Sequence, residues 1–99
     1  MNNSENLRQI LGSKSILKIG GAFDAMSAKL VETHGFDAIW AGSFAISATH
    51  AVPDASILTM TEFFDAASIM TQSCEIPVIA DCDTGYGGSS NVSHMVKKY

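Results

Sequence analysis

Positive charge is scarce in this chain. Six Lys and Arg stand against ten Asp and Glu, a formal net charge of −4 over 99 residues. Apart from Lys97-Lys98 the cations are scattered, with no basic patch interleaved with aromatics. This lacks the electrostatic footprint of a nucleic-acid partner, and the negative balance repels acidic membrane surfaces. Long apolar runs are missing too. No segment approaches the roughly 18 apolar residues of a membrane span, and the opening MNNSENLRQILGSKS has no apolar core of signal-peptide length. The expected partner is a small molecule, with neither nucleic acid nor membrane, and the expected address is cytoplasmic. Cysteine is limited to Cys74 and Cys82, without metal-ligand spacing, and both read as reduced, buried thiols. Internal repeats, low-complexity tracts and linkers are absent.

What is present suits one small globular domain: 46% hydrophobic and 16% charged residues, with a single modest core. A rhythm of strand followed by helix runs along it. SILKIGG predicts a short strand over 15–19, ending at Gly20-Gly21. DAMSAKLVETHG follows as a helix capped by Asp24, with Met26, Leu30 and Val31 on one side. Gly35 sits where a helix C-terminus favours a left-handed residue. FDAIWAGSF predicts a second strand over Ala38–Ala41, opening into Gly42-Ser43. FAISATHAVPDASIL reads as irregular, with Pro53 and Asp54 in a loop. Thr59-x-x-Glu62 is a capping-box pattern, with Phe63, Ala67 and Met70 at helical spacing behind it. PVIA is a third strand, and a last helix begins at Asn91. Such alternation argues for a parallel sheet of βαβ units, open and doubly wound or part of a barrel. A complete eight-unit barrel takes about 250 residues, so this length holds about two and a half units.

The strand ends carry the chemistry. PVIADCDTGYGGSSN finishes an apolar run with Asp81 and Asp83, then breaks into glycines. Residues two apart on a strand share a face, so these carboxylates can converge at its C-terminal end, where parallel α/β folds gather their sites. A hard cation such as Mg²⁺ would relieve their repulsion. The competing reading is that both simply cap the turn. Gly85-Tyr86-Gly87-Gly88-Ser89-Ser90 imitates a dinucleotide loop incompletely, and the aspartates would set negative charge against the pyrophosphate. At the other strand end, Gly42-Ser43-Phe44 can offer backbone N–H groups to an anion. Trp40 either walls a small pocket or is a core aromatic. Asp54 can reach the same mouth, and His50 lies near it. His34 and His94 read as surface or structural residues, and no Ser-His-Asp or Cys-His arrangement can be drawn.

FDAIWAGSFAISATHAVPDASILTMTEF followed by IPVIADCDTGYGG resembles the N-terminal part of the phosphoenolpyruvate mutases, in the isocitrate lyase superfamily. The similarity runs from about Gly20 to Tyr99. It is specific at the Trp-bearing strand end, the Val-Pro-Asp loop and D-x-D-T-G-Y-G, a motif that carbon–carbon lyases of the superfamily usually carry without the Thr and Tyr. The resemblance implies an α/β fold, the N-terminal part of a TIM-like (β/α)8 barrel, with residues 1–99 as one partial barrel domain, incomplete at its C-terminus, and no second domain. It implies Mg²⁺ held directly by Asp81 and through water by Asp83 and Asp54, which makes Asp54 the candidate catalytic residue. It implies that the Gly42, Ser43 and Phe44 backbone binds a substrate carboxylate, with Trp40 packed against the substrate. Two departures stand out. Relatives often read Ser-Gly where this chain has Gly42-Ser43, and many have Asn where Gly88 stands.

The activity so implied interconverts phosphoenolpyruvate and phosphonopyruvate, the C–P bond-forming step of phosphonate biosynthesis, commonly in a homo-oligomer. Phosphonopyruvate hydrolysis and carbon–carbon cleavage are the alternatives on the same scaffold. The family's further acidic group, gating loop and phosphoryl-binding Arg and His fall beyond the Tyr99 position. A free 99-residue chain is therefore expected to be inactive. A non-enzymatic reading, a truncated product or a partner-dependent piece, stands beside the enzymatic ones.

Overall fold

The computed structural model describes residues 2–13 and 16–99. In chain order the elements are α1 (Asn3–Ser13), β1 (Ile19–Ala22), α2 (Ala25–Thr33), β2 (Ala38–Ala41), α3 (Ser43–Thr49), α4 (Met60–Ser73), β3 (Val78–Ala80) and α5 (Ser89–Lys98). The three strands are parallel, ordered β1-β2-β3. Gly21 pairs with Trp40, and Trp40 with Ile79. Helices α2 and α4 pack on one face of the sheet. There Ile39 and Ala41 join Ala28, Phe63, Ala67 and Met70 in one core. The opposite face is open: Ile19 is 43% and Trp40 42% exposed. This is the layout of consecutive βα units in a barrel wall, with the helices outside and the bare face inward.

Several elements follow from local chemistry. Asp24 and Ser27 form a reciprocal cap at the start of α2: the Ser27 amide donates to Asp24 Oδ1 at 2.8 Å, and the Asp24 amide to Ser27 Oγ at 3.1 Å. Thr59 and Glu62 do the same for α4, whose Phe63, Ala67 and Met70 are buried as their spacing predicts. Gly35 adopts φ +82° after α2. Helix α5 begins two residues ahead of the expected Asn91, with Gly88 at its N-cap and the Asn91 side chain accepting the Gly88 N–H.

Three expectations are corrected. The first strand is Ile19–Ala22, not 15–19; Ser15 lies outside the described residues, and Ile16 is exposed. Gly20-Gly21 is strand rather than strand end, paired in register with Ile39 and Trp40, and at Gly20 α2 approaches closely. A Cβ on Gly20 would stand 2.7 Å from Val31 Cγ1. That closeness also sets which side of α2 faces inward. Ala28 is fully buried and Val31 packs on the core, whereas Met26 and Leu30 are 72% and 55% exposed. Finally, Ser43–Thr49 is a helix, not irregular chain, because burial of Ile46 and Ser47 outweighs a sequence of modest helix propensity. Cys74 is buried and Cys82 half-buried, and both are free thiols. No helix among the described residues is long and apolar enough to cross a membrane.

One carboxylate ties the units together. Glu32, near the end of α2, accepts the backbone amides of Glu75 (2.6 Å) and Ile76 (3.1 Å), just before β3, and the Lys29 ammonium at 2.7 Å. Those donors, Lys29 first and then the Glu75 amide, outweigh desolvation and hold its carboxyl below the ordinary value of 4.5. A depressed folded-state pKa contributes stability that is present above the unfolded value and is lost as pH falls through the folded one. Glu32→Gln is therefore expected to destabilise the fold by about 1 kcal/mol at pH 7, most of it from the two amides, since the exposed Lys29 pair counts for little. The difference should shrink in thermal melts as pH falls from 7 through the lowered folded-state value, and a loss of equal size at every pH would contradict this account.

Candidate functional site

The site forms where β2 and β3 end side by side. The Asp81 amide donates to the Ala41 carbonyl at 3.0 Å, carrying the parallel ladder one residue past β3. Its carboxylate thereby meets the start of α3. Asp81 Oδ2 accepts both the Ser43 amide (3.2 Å) and the Ser43 hydroxyl (2.9 Å), while Oδ1 accepts the Asp83 amide at 3.0 Å. Desolvation raises the Asp81 pKa, but the three hydrogen bonds together overcome it and hold the carboxyl below its ordinary range. At neutral pH Asp81 is a carboxylate with a fixed orientation.

The Ser43 hydroxyl also lies 3.2 Å from Asp54 Oδ2, which brings the Val-Pro-Asp loop to the end of β3. A second serine makes a parallel link, with Ser56 Oγ donating to Asp83 Oδ2 at 3.0 Å. Asp81 and Asp83 do not converge as alternation along a strand would have it. The chain leaves the extended conformation at once, and Asp83 takes φ +50°, so its amide rather than its carboxylate turns back to Asp81. Ser56 (φ +58°) and Tyr86 (φ +66°) share this left-handed conformation, uncommon for residues with side chains. All three line a cleft of about 340 Å³ between the two loops, with Leu58, Thr59 and Met60.

Behind Asp81, the Tyr86 hydroxyl donates to its carbonyl oxygen at 3.2 Å, and the Tyr86 ring stacks on Phe63 at 5.4 Å. Burial first, with the nearby Tyr99 and Cys82, drives the Tyr86 phenol far above its ordinary range, so it remains a donor. Burial likewise pushes the Cys82 thiol up, which keeps it a neutral neighbour.

Of the remaining candidates, Trp40 lies on the open sheet face with its indole against Gly42, where an added Cβ would stand 3.1 Å from the ring. Gly42 and Ser43 are buried. Phe44 is 73% exposed and lines a shallow groove with Phe23 and Thr49. His50 ends α3 and faces Glu62 of α4 at 3.8 Å. His34 caps α2, with Nδ1 2.7 Å from the Leu30 carbonyl, and His94 is exposed on α5. Sequence reasoning gave no role to Ser56 or Tyr86. Tyr86 stood inside the quoted motif, whereas nothing in the local sequence marks Ser56.

The donor set suits a hard, oxygen-seeking divalent cation. Asp81 and Asp54 present carboxylate oxygens to one hydroxyl, and Asp83 stands in the adjoining turn. Among the described residues, three His, Cys, Asp or Glu side chains do not gather into a ready-made cluster. Water or substrate oxygens would have to complete the shell, as is usual for Mg²⁺.

Comparison with known proteins agrees with this layout. The family model for phosphoenolpyruvate phosphomutase matches residues 7–99. The 2,3-dimethylmalate lyase of Eubacterium barkeri is 40% identical over the whole chain, which spans 35% of that enzyme. The crystal structure of a phosphoenolpyruvate phosphomutase from Streptomyces platensis superposes with a TM-score of 0.96 at 44% identity, covering 99% of this chain and 34% of that one. A phosphonopyruvate hydrolase solved with oxalate and Mg²⁺ gives a TM-score of 0.93 at 38% identity, covering 99% and 35%. The chain thus spans about a third of the length of the relatives it matches. It belongs to the phosphoenolpyruvate phosphomutase family of the PEP mutase/isocitrate lyase superfamily, and its sheet is the N-terminal part of that family's barrel-like fold. That superfamily holds mutases, lyases and a phosphonopyruvate hydrolase, and its metal use is illustrated by the Mg²⁺ in the hydrolase.

The turn that aims the Asp83 amide depends on Gly85, which is buried at φ +95° with Val92 against the place of its missing Cβ. Gly85→Ala should cost about 2–4 kcal/mol, backbone strain and overpacking together. A melting temperature within about 2 °C of the parent would show that the turn tolerates a side chain.

Proposed function

We propose that this chain supplies the metal- and carboxylate-binding portion of a phosphoenolpyruvate mutase-type enzyme, interconverting phosphoenolpyruvate and phosphonopyruvate in phosphonate biosynthesis. The observation that carries the reading is the junction of Asp81 and Asp54 on Ser43 at the C-terminal strand ends. Asp81 is the direct Mg²⁺ ligand in this reading, with Asp54 and Asp83 acting through water. The Gly42, Ser43 and Phe44 backbone and the Trp40 ring hold the carboxylate end of the substrate. Bound Mg²⁺ supplies the positive charge that steadies an enolate oxygen. The chain's own groups orient it: Ser43 and the Asp83 amide fix the Asp81 rotamer and keep that carboxylate ionised, and Tyr86 pins the backbone beneath.

The Thr84-Gly85-Tyr86-Gly87 turn places a phenol behind Asp81, and carbon–carbon cleavage stays an alternative on the same half-site, given the likeness to the 2,3-dimethylmalate lyase. Phosphonopyruvate hydrolysis uses the same half-site and is the second reading, supported by the likeness to the hydrolase. Residues 1–99 alone are expected to turn over neither substrate, because the phosphoryl-handling groups of the family come later in its chains.

The test is a chimera in which residues 1–99 replace the matching third of the Streptomyces platensis phosphomutase. It should convert phosphonopyruvate to phosphoenolpyruvate with Mg²⁺, and Asp81→Asn should cut kcat/KM at least about 100-fold. Pyruvate and phosphate as the products would favour the hydrolase. A folded chimera without either activity would refute the proposal.

A further inference from the structure

Ser43 has a role that the proposed cation site leaves unexplained. The residue is 4% exposed, and its one hydroxyl proton faces two acceptors, Asp81 Oδ2 at 2.9 Å and Asp54 Oδ2 at 3.2 Å. A hydroxyl donates once. Whichever carboxylate it serves, the other oxygen is left facing the hydroxyl lone pairs, a contact that favours positive charge alongside. The Ser43 amide fixes one side by donating to the same Asp81 oxygen. Asp54, by contrast, sits in an exposed loop, and among the described residues no other hydrogen bond holds its carboxylate. The hydroxyl at the start of α3 reaches Asp54 in the loop that follows that helix, 11 residues on, and without it the loop would be free to carry Asp54 away.

We propose that Ser43 is the positioning residue of the divalent-cation site, its side-chain hydroxyl holding Asp54 beside Asp81 so that two carboxylates are already assembled when the cation arrives. This rests on the cation reading above. It goes beyond that reading by assigning the cation affinity of this chain to a hydroxyl rather than to the backbone of Ser43. It also gives a consequence to the Gly42-Ser43 order. With a glycine at 43 no hydroxyl could bridge the two loops, and Gly42 keeps the space that the Trp40 indole fills. Preorganising a ligand that otherwise has to be drawn in from an exposed loop tightens binding by removing the cost of ordering it.

The test uses the chain as it stands and Mn²⁺ alone as the probe, followed by the electron paramagnetic resonance signal of free Mn²⁺ and by calorimetry. The parent should bind one equivalent saturably. Ser43→Ala and Ser43→Gly should each weaken binding about 10-fold or more, and Ser43→Thr, which keeps the hydroxyl, should stay within about three-fold of the parent. In the Ser43→Ala background, Asp54→Asn should add little further loss, because Asp54 is then no longer held. Far-UV circular dichroism checks that each variant is folded, and if Ser43→Ala is not, the Gly and Thr variants compare the same hydroxyl. Saturable binding by the parent with an unchanged or tighter constant in the hydroxyl-free variants would overturn the role of Ser43 and leave the cation site standing. No saturable binding by the parent would overturn both.

Discussion

The hydrogen bond from the Asp81 amide to the Ala41 carbonyl is the constraint on which the site depends. It extends the pairing of β2 and β3 by one residue, so the chain is still in register when the apolar run ends. A carboxylate placed there cannot drift from the first residue of α3. Ser43 and the Asp83 amide then satisfy both of its oxygens. Burying charge near a core is costly unless the charge is paired or fully hydrogen-bonded, and here backbone and hydroxyl donors meet that condition before any cation is considered. That resolves the oddity of aspartates following Val78-Ile79-Ala80 in the sequence.

Much of this arrangement was legible from residue order alone. The alternation of strand and helix, the caps at Asp24 and Thr59 and the position of the acidic strand end all rest on local chemistry, and local chemistry is written in neighbouring residues. What could not be read depends on distance across the fold. Gly20 sits inside a strand paired with Ile39, and it is glycine there because Val31 of a different element needs the space. Met26 and Leu30 look like an inward face until the closeness of α2 to the sheet assigns that place to Ala28. Ser43–Thr49 becomes helical because Ile46 finds a core to enter, and no propensity scale records that core.

The candidate site shows the same division. Asp81, Asp83 and Asp54 stood out by type and position, yet their relation to one another did not. Alternation along an ideal strand puts Asp83 beside Asp81, but a left-handed turn at Asp83 sends its carboxylate to Ser56 instead. Ser43 stood out for its backbone and not for the hydroxyl that joins the loops, and Ser56 carried no signal, since serine is common in loops and their partners lie 38 and 27 residues away.

The sheet itself has a property of a different kind. Among the described residues, strands β1 and β3 each lack a neighbour on one side, and no helix covers the face carrying Ile19, Trp40 and Ile79. Unpaired backbone groups along such borders are templates for another strand. Pairing within one molecule is independent of how many molecules are present, whereas pairing between molecules rises with the square of their number. Dilution therefore favours the solitary chain and crowding favours border-to-border joining. How long this chain survives in solution is thus a question of concentration and time as much as of the strength of its core.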